Sequence, residues 1–317
     1  MRAPARYAII HSRLSAAMRI PMRFSAPSPY LLLTLTVLFW SGNMVVGRGI
    51  HESVPPIALA FWRWSIALAC VAPLALPHLR TEWPLIRRHW RALVALGLLG
   101  VGGYNTLVYV ALEHTTATNA SLLNSFIPIA TIALAFALLG RRLSRIEAIG
   151  VVVSLAGVLT IVARGDVHTL LALTLNRGDL WMLVAVMVWG LYTVGLHWRP
   201  AIHPMLFFAV CAVVGLSALA PLYAMELAAG ERIDFSPRAL AAIGYVGVFA
   251  GFLGHVFYNA GVRAVGPSQG SLFIHLMPVF GTALAAVFLG ERPQWYHFAG
   301  IAAILSGIYL TTRYRRA

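Results

Sequence analysis

Apolar residues run through most of this chain in blocks of about 20, separated by short clusters rich in Arg, Pro and Gly. A block of that length crosses a bilayer as a helix. Ten such blocks occur, at 29–48, 55–77, 91–111, 116–139, 145–163, 178–198, 203–225, 239–262, 267–289 and 295–312. The pattern predicts an all-α membrane protein with ten transmembrane helices, and the short links leave no room for a soluble domain. Two blocks carry residues that fit poorly in lipid. In the ninth, SLFIHLMPVFGTALAAVFLGE at 271–291 holds His275 and Pro278. A proline inside a helix frees the carbonyl one turn earlier, and lipid offers that carbonyl no partner.

Composition supports the membrane reading. Of 317 residues, 60% are hydrophobic and 11% are charged, against about 25% charged in a soluble domain. The net charge of +14 comes from 24 basic residues, all of them Arg. A nucleic-acid binder gathers such charge on one patch. Here it falls between apolar blocks, so it sets topology and no nucleic-acid partner is expected. With the N-terminus inside, 17 Arg fall on the cytoplasmic side and 6 on the other, while Arg63 lies within a block. That bias places both termini in the cytoplasm of a bacterial-type inner membrane. Basic tails at 1–28 and 313–317 flank the blocks. The first resembles a transit peptide in composition but reads as a cytoplasmic tail, with Met18 or Met22 as a candidate start. Cys70 and Cys211 lie within blocks, with no metal-type or disulfide spacing, and no metal or cofactor is expected.

The ninth block has a twin. A shift of 150 aligns Ser121 with Ser271, Pro128 with Pro278 and Gly140 with Gly290; about twelve of the forty positions from 121 to 160 are identical. Gly150 and Gly157 likewise match Gly300 and Gly307. The chain is therefore read as two copies, 29–163 and 178–312. Five helices per copy is an odd number, so the second copy enters the membrane inverted, as in many secondary transporters.

These residues give the chain a resemblance to the drug/metabolite transporter superfamily, and within it to EamA-type ten-helix exporters. FWSGN at 39–43, FWR at 61–63, NASLLNSFIP at 119–128, GE at 290–291 and the four glycines carry the resemblance, which spans roughly 30–312. Arg141 departs from it, standing where the pattern has Glu; the charge bias of a cytoplasmic link accounts for the change. The resemblance implies export of amino acids, aromatic ones included, or related small metabolites.

Candidate substrate residues follow from polarity within the blocks. On a continuous helix, Ser268, Ser271, His275, Pro278 and Thr282 share an arc of roughly 80°, and Ser121, Ser125 and Pro128 repeat it. Interhelical glue is one reading of such hydroxyls; a cavity wall, with Pro128 and Pro278 as paired hinges, is the other. His255, with Tyr258 one turn on, answers Asn105 in the first copy. Trp40 and Asn43 answer Trp189 and Tyr192. Arg63 is either a structural post or the partner of a substrate carboxylate. No Asp or Glu lies mid-block, so a coupled proton would fall to histidine. GPSQG at 266–270 matches a serine-nucleophile pattern, but that motif needs a strand-to-helix elbow. An intramembrane protease using Ser268 is thus a remote alternative, and a channel or lipid scramblase a nearer one. The expectation is a non-enzymatic, alternating-access carrier whose partners are a small-molecule substrate and the lipid bilayer.

Overall fold

The computed structural model describes residues 27–50, 52–112, 114–115, 117–171, 176–289 and 292–313. Most of the two basic tails, Glu113, Gly290 and Glu291 lie outside these residues. The first copy supplies α1 (Pro29–Gly49), α2 (Pro56–Arg88), α3 (Trp90–Leu112), α4 in two pieces (Ala117–Asn124 and Ile127–Leu139) and α5 (Arg145–Val162). The second supplies α6 (Arg177–Trp198), α7 (Pro204–Ala228) and α8 (Pro237–Val265). Its α9 is built from Pro267–Leu272, a 3₁₀ turn at Phe273–Leu276 and Met277–Leu289, and α10 is Trp295–Arg313. A short helix, Val167–Leu171, lies in the link between copies and was not expected.

Local chemistry explains the starts. Proline opens α1, α2, α7, α8 and α9, where its missing N–H costs nothing. Reciprocal capping boxes, Ser144 with Glu147 and Asn176 with Asp179, open α5 and α6. Among the described residues nine helices are long and apolar enough to cross a membrane. The tenth, α10, is 19 residues long and packs along α5.

Two expectations about helices need correction. The second helix does not end near 77 but continues to Arg88 through Pro73, Pro77 and Pro84. Its 33 residues span about 50 Å, well beyond a hydrocarbon core of about 30 Å. The last turns, with Arg80, Arg87 and Arg88, therefore stand out past the membrane. Nor do Pro128 and Pro278 kink continuous helices. Each sits in the first turn of a new helical piece, after a break at 125–126 or a 3₁₀ turn. The Ile274 carbonyl, expected to be orphaned by Pro278, instead accepts the Met277 N–H in the 3₁₀ turn.

The inversion is visible where α5 meets α10. Added Cβ atoms on Gly150 and Gly307 would each meet the other's carbonyl oxygen, and the same holds for Gly157 and Gly300. Gly150 is the repeat mate of Gly300, and Gly157 of Gly307. The contact is therefore the same seen from either helix, and its sequence order reverses. Twin helices crossing in this way are antiparallel and related by a two-fold axis, which for inverted repeats lies in the membrane plane. Trp40 and Trp189, which hold similar places in the two copies, meet edge to face at 5.3 Å.

Candidate functional site

The twin helices α3 and α8 share an irregularity at matching positions. Each runs as a π-helical turn in mid-span, Leu98–Gly103 in one and Val246–Leu253 in the other. Such turns disturb the i→i−4 ladder, and they recur at functional sites. In α8 the turn presents the Ala250 carbonyl to three donors. Trp40 Nε1 approaches it at 3.1 Å, Arg63 Nη2 at 3.3 Å and His255 Nδ1 at 3.2 Å. Because a carbonyl only accepts, Nδ1 is assigned the His255 proton. Its Nε2 then holds a lone pair and has no hydrogen-bond partner among the described residues. Aromatic rings wall this imidazole: Trp64 at 4.6 Å, Trp40 at 5.3 Å and Trp189 at 5.8 Å.

These groups surround a central cavity. Trp40, Asn43, Arg63, Asn105, Trp189 and His255, all expected from the sequence, line it. So do Tyr104, Asn124 and Met277, which were not expected as side-chain contributors. The Tyr104 hydroxyl donates to Asn124 Oδ1 at 2.7 Å, leaving the Asn124 amide N–H groups for the cavity. Tyr104 and Asn105 are consecutive residues just after the π turn, and both reach the wall. The glycine-rich GVGG before them is the only sequence signal for that irregularity. The cavity has a volume of about 40 Å³, which suffices for about three waters.

A second, larger cleft of about 440 Å³ shares the wall residues Met44, Asn124, Ile274 and Met277 with the first, so the two adjoin. Ser121, Ser125, His275, Pro278 and Thr282 line it, and Arg164 stands at its far end. Arg164 follows α5, on the face opposite the Arg-rich end of α2. His275 ties this region together. Its Nε2 donates to the Ser125 carbonyl at 3.0 Å, so its Nδ1 accepts from Ser154 Oγ at 2.7 Å. Ser125 and His275 are repeat mates in contact, which places them beside the two-fold axis.

The expected polar stripe is split by the 3₁₀ turn. Ser271 is fully buried, and its hydroxyl donates back to the Ser268 carbonyl at 3.1 Å. Tyr192 donates to Asn259 Oδ1 at 2.8 Å, and Tyr258 bonds Thr193 at 2.9 Å, both behind the cavity wall. Ser271, Tyr192, Tyr258 and Pro128 line neither space. Ser268 lies in the first turn of α9, directly after α8, and no strand occurs among the described residues. No group of three His, Cys, Asp or Glu suited to a metal occurs among them either.

Comparison with known proteins matches this architecture. The chain fits the model of the EamA-like transporter family twice, over residues 27–163 and 176–313. It is 29% identical to an uncharacterized transporter of Archaeoglobus fulgidus, over 89% of this chain and 96% of the relative. It is 25% identical to the uncharacterized transporter YyaM of Bacillus subtilis, over 88% and 92%. A protein of Streptantibioticus cattleyicolor named a probable terminal-alkyne amino-acid exporter is 26% identical over 89% and 92%. A solved crystal structure superposes with a TM-score of 0.74 at 20% identity, covering 91% of this chain and 97% of its own.

Proposed function

Because the chain belongs to the EamA-like transporter family, we propose that it is a secondary carrier that exports small amphipathic metabolites, amino acids foremost, by alternating access. The observation that carries this reading is the central cavity. Both copies wall it at the two-fold axis, and it combines aromatic rings, three amides and one guanidinium. A substrate carboxylate finds Arg63 and amide N–H groups there. No Asp or Glu among the described residues lines the cavity, so a substrate ammonium finds amide oxygens and the faces of Trp40, Trp189 and Tyr104. The amino-acid exporter among the relatives supports the same substrate class.

Size supports alternating access. Room for about three waters does not hold an amino acid, so one can bind among the Trp40, Arg63 and His255 side chains only if the wall there moves, opening into the adjoining 440 Å³ cleft. The cleft toward Arg164 supplies the path on one side. The breaks in α4 and α9, at Pro128 and Pro278, are the compliant points about which the half-helices pivot. His255 carries any coupled proton, because its Nε2 lone pair is not engaged by any of the described residues, whereas both His275 nitrogens are bonded.

The test is a transport screen in proteoliposomes containing only this protein, with neutral, aromatic and charged amino acids as labelled substrates. Saturable, stereoselective uptake of at least one neutral or aromatic amino acid is expected. Non-saturable flux without stereoselectivity would identify a channel, and flux of labelled lipid a scramblase.

A further inference from the structure

The Arg-rich face holds a recess remote from the central cavity. It lies where the end of α6 meets the α8–α9 junction, and its volume is about 260 Å³. Arg199 and Arg263 both line it, over an apolar floor that includes Leu196 and Val262. A third guanidinium, that of Arg141, lies against the backbone of Gly266 at its edge. Gly266 has φ +87°, a conformation that favours glycine, and a Cβ there would strike Arg141. None of the three Arg side chains has a carboxylate partner among the described residues.

The charge bias that orients membrane proteins asks only for Arg on this face, in water. It does not ask for an Arg turned inward. Arg199 is half-buried, with its guanidinium 5.4 Å from the centre of the Phe207 ring. Burial, and next the nearby Arg263, lower its pKa from the ordinary guanidinium value. A half-buried cation thus has a second, exposed cation beside it, an unfavourable arrangement that an anion would relieve. The exposed Trp198 stands next to Arg199 in the chain, and tryptophan favours the level of lipid headgroups. Basic pockets between helices at this level suit anionic headgroups.

We propose that this recess binds a phosphate-bearing anion, either the headgroup of an anionic phospholipid in the adjoining leaflet or free inorganic phosphate. Arg199 and Arg263 are its direct partners, and Arg141 closes the edge. The apolar floor accommodates the glycerol and first methylenes of a lipid, which favours the lipid source. The inference does not depend on which metabolite the protein carries.

The full-length protein, delipidated in neutral detergent, is titrated separately with phosphatidylglycerol, phosphatidylcholine and sodium phosphate. Retained lipid is read by native mass spectrometry and stability by thermal unfolding. Phosphatidylglycerol is expected to be retained in preference to phosphatidylcholine and to raise the unfolding midpoint. Arg263→Gln, at an exposed position that leaves the fold intact, should weaken that retention about tenfold, the effect of one charged hydrogen bond. Arg199→Gln should weaken it at least as much, while Arg87→Gln, an exposed Arg elsewhere on this face, should leave it unchanged. Stabilisation by sodium phosphate alone, lost in Arg263→Gln, would support the site with the free anion as its ligand. The proposal is overturned if neither phosphatidylglycerol nor phosphate stabilises the protein. It is equally overturned if Arg87→Gln matches Arg263→Gln, since diffuse surface charge then accounts for the binding.

Discussion

His275 and His255 are both buried in mid-membrane, yet they are held differently. His275 is bonded at both nitrogens, by Ser154 and the Ser125 carbonyl. His255 is bonded at one. The first arrangement is structural. Ser154→Ala would leave a buried imidazole nitrogen without a donor, at a cost of about 1–3 kcal/mol. Thermal unfolding in detergent should show the loss, and an unchanged midpoint would mean that the Ser154–His275 bond contributes nothing. The second arrangement is suited to function. His255→Gln should lower transport about tenfold, the effect of one lost hydrogen bond to a charged group, and shift the unfolding midpoint less than Ser154→Ala does. Normal transport by His255→Gln would remove His255 from the site. In the sequence both histidines were legible as unusual, because ionisable groups in apolar blocks stand out. Their partners were not. Ser154 sits in α5, four helices before α9, and nothing local to either residue announces the bond.

At the scale of elements, the apolar blocks found the helices to within a few residues, apart from the end of α2, which runs eleven residues past its block, because the bilayer imposes length and polarity together. The interiors were harder to read. Pro128 and Pro278 signalled irregularity correctly but suggested bends, whereas the chain stops one helical piece and starts another. Proline favours the first turn as strongly as it disfavours the interior, so the residue alone does not separate the two. The π turns of α3 and α8 left no mark on the hydropathy of their spans, and the GVGG run at 100–103 was the one hint of them. The stripe drawn through Ser268, Ser271 and His275 failed for the same reason, a 3₁₀ turn having altered the 100° step. Two predictions belong here. Replacing both prolines with alanine supplies N–H groups that let each half-helix join its neighbour, so turnover should fall more than binding does. Equal turnover in the double variant, measured beside equilibrium binding, would discard the pivot. The glycine crossing is more rigid. Gly157→Leu would drive a side chain into the backbone of Gly300, an overpacking that costs about 1–3 kcal/mol. Its effect is again read by thermal unfolding, and a melting curve like that of the parent protein would show that α5 and α10 separate freely.

For the whole molecule, charge sets direction. The end of α2 carries Arg80, Arg87 and Arg88 beyond the membrane, whereas the link between α7 and α8 carries Glu231 and Asp234 beside Arg232. With the cytoplasm on the Arg-rich side, a cysteine at Thr81 should resist an impermeant thiol reagent in sealed cells, and one at Glu231 should react. Both would be placed in a protein with Cys70 and Cys211 replaced by Ser. The reverse pattern would invert the molecule and turn the cleft toward Arg164 to the inside. The crossing of α5 and α10 has one more consequence. A dimer of two identical five-helix chains, one upside down, could make the same glycine contact. On its axis, however, every residue would have to face its own copy. Joining the copies in one chain lifts that constraint. It allows a serine at position 125 and a histidine at position 275, where symmetry would demand two of the same. The imidazole that pins the two halves together thus has a single, unlike partner that a pair of identical chains could not offer it, because the fused halves have been free to become unlike.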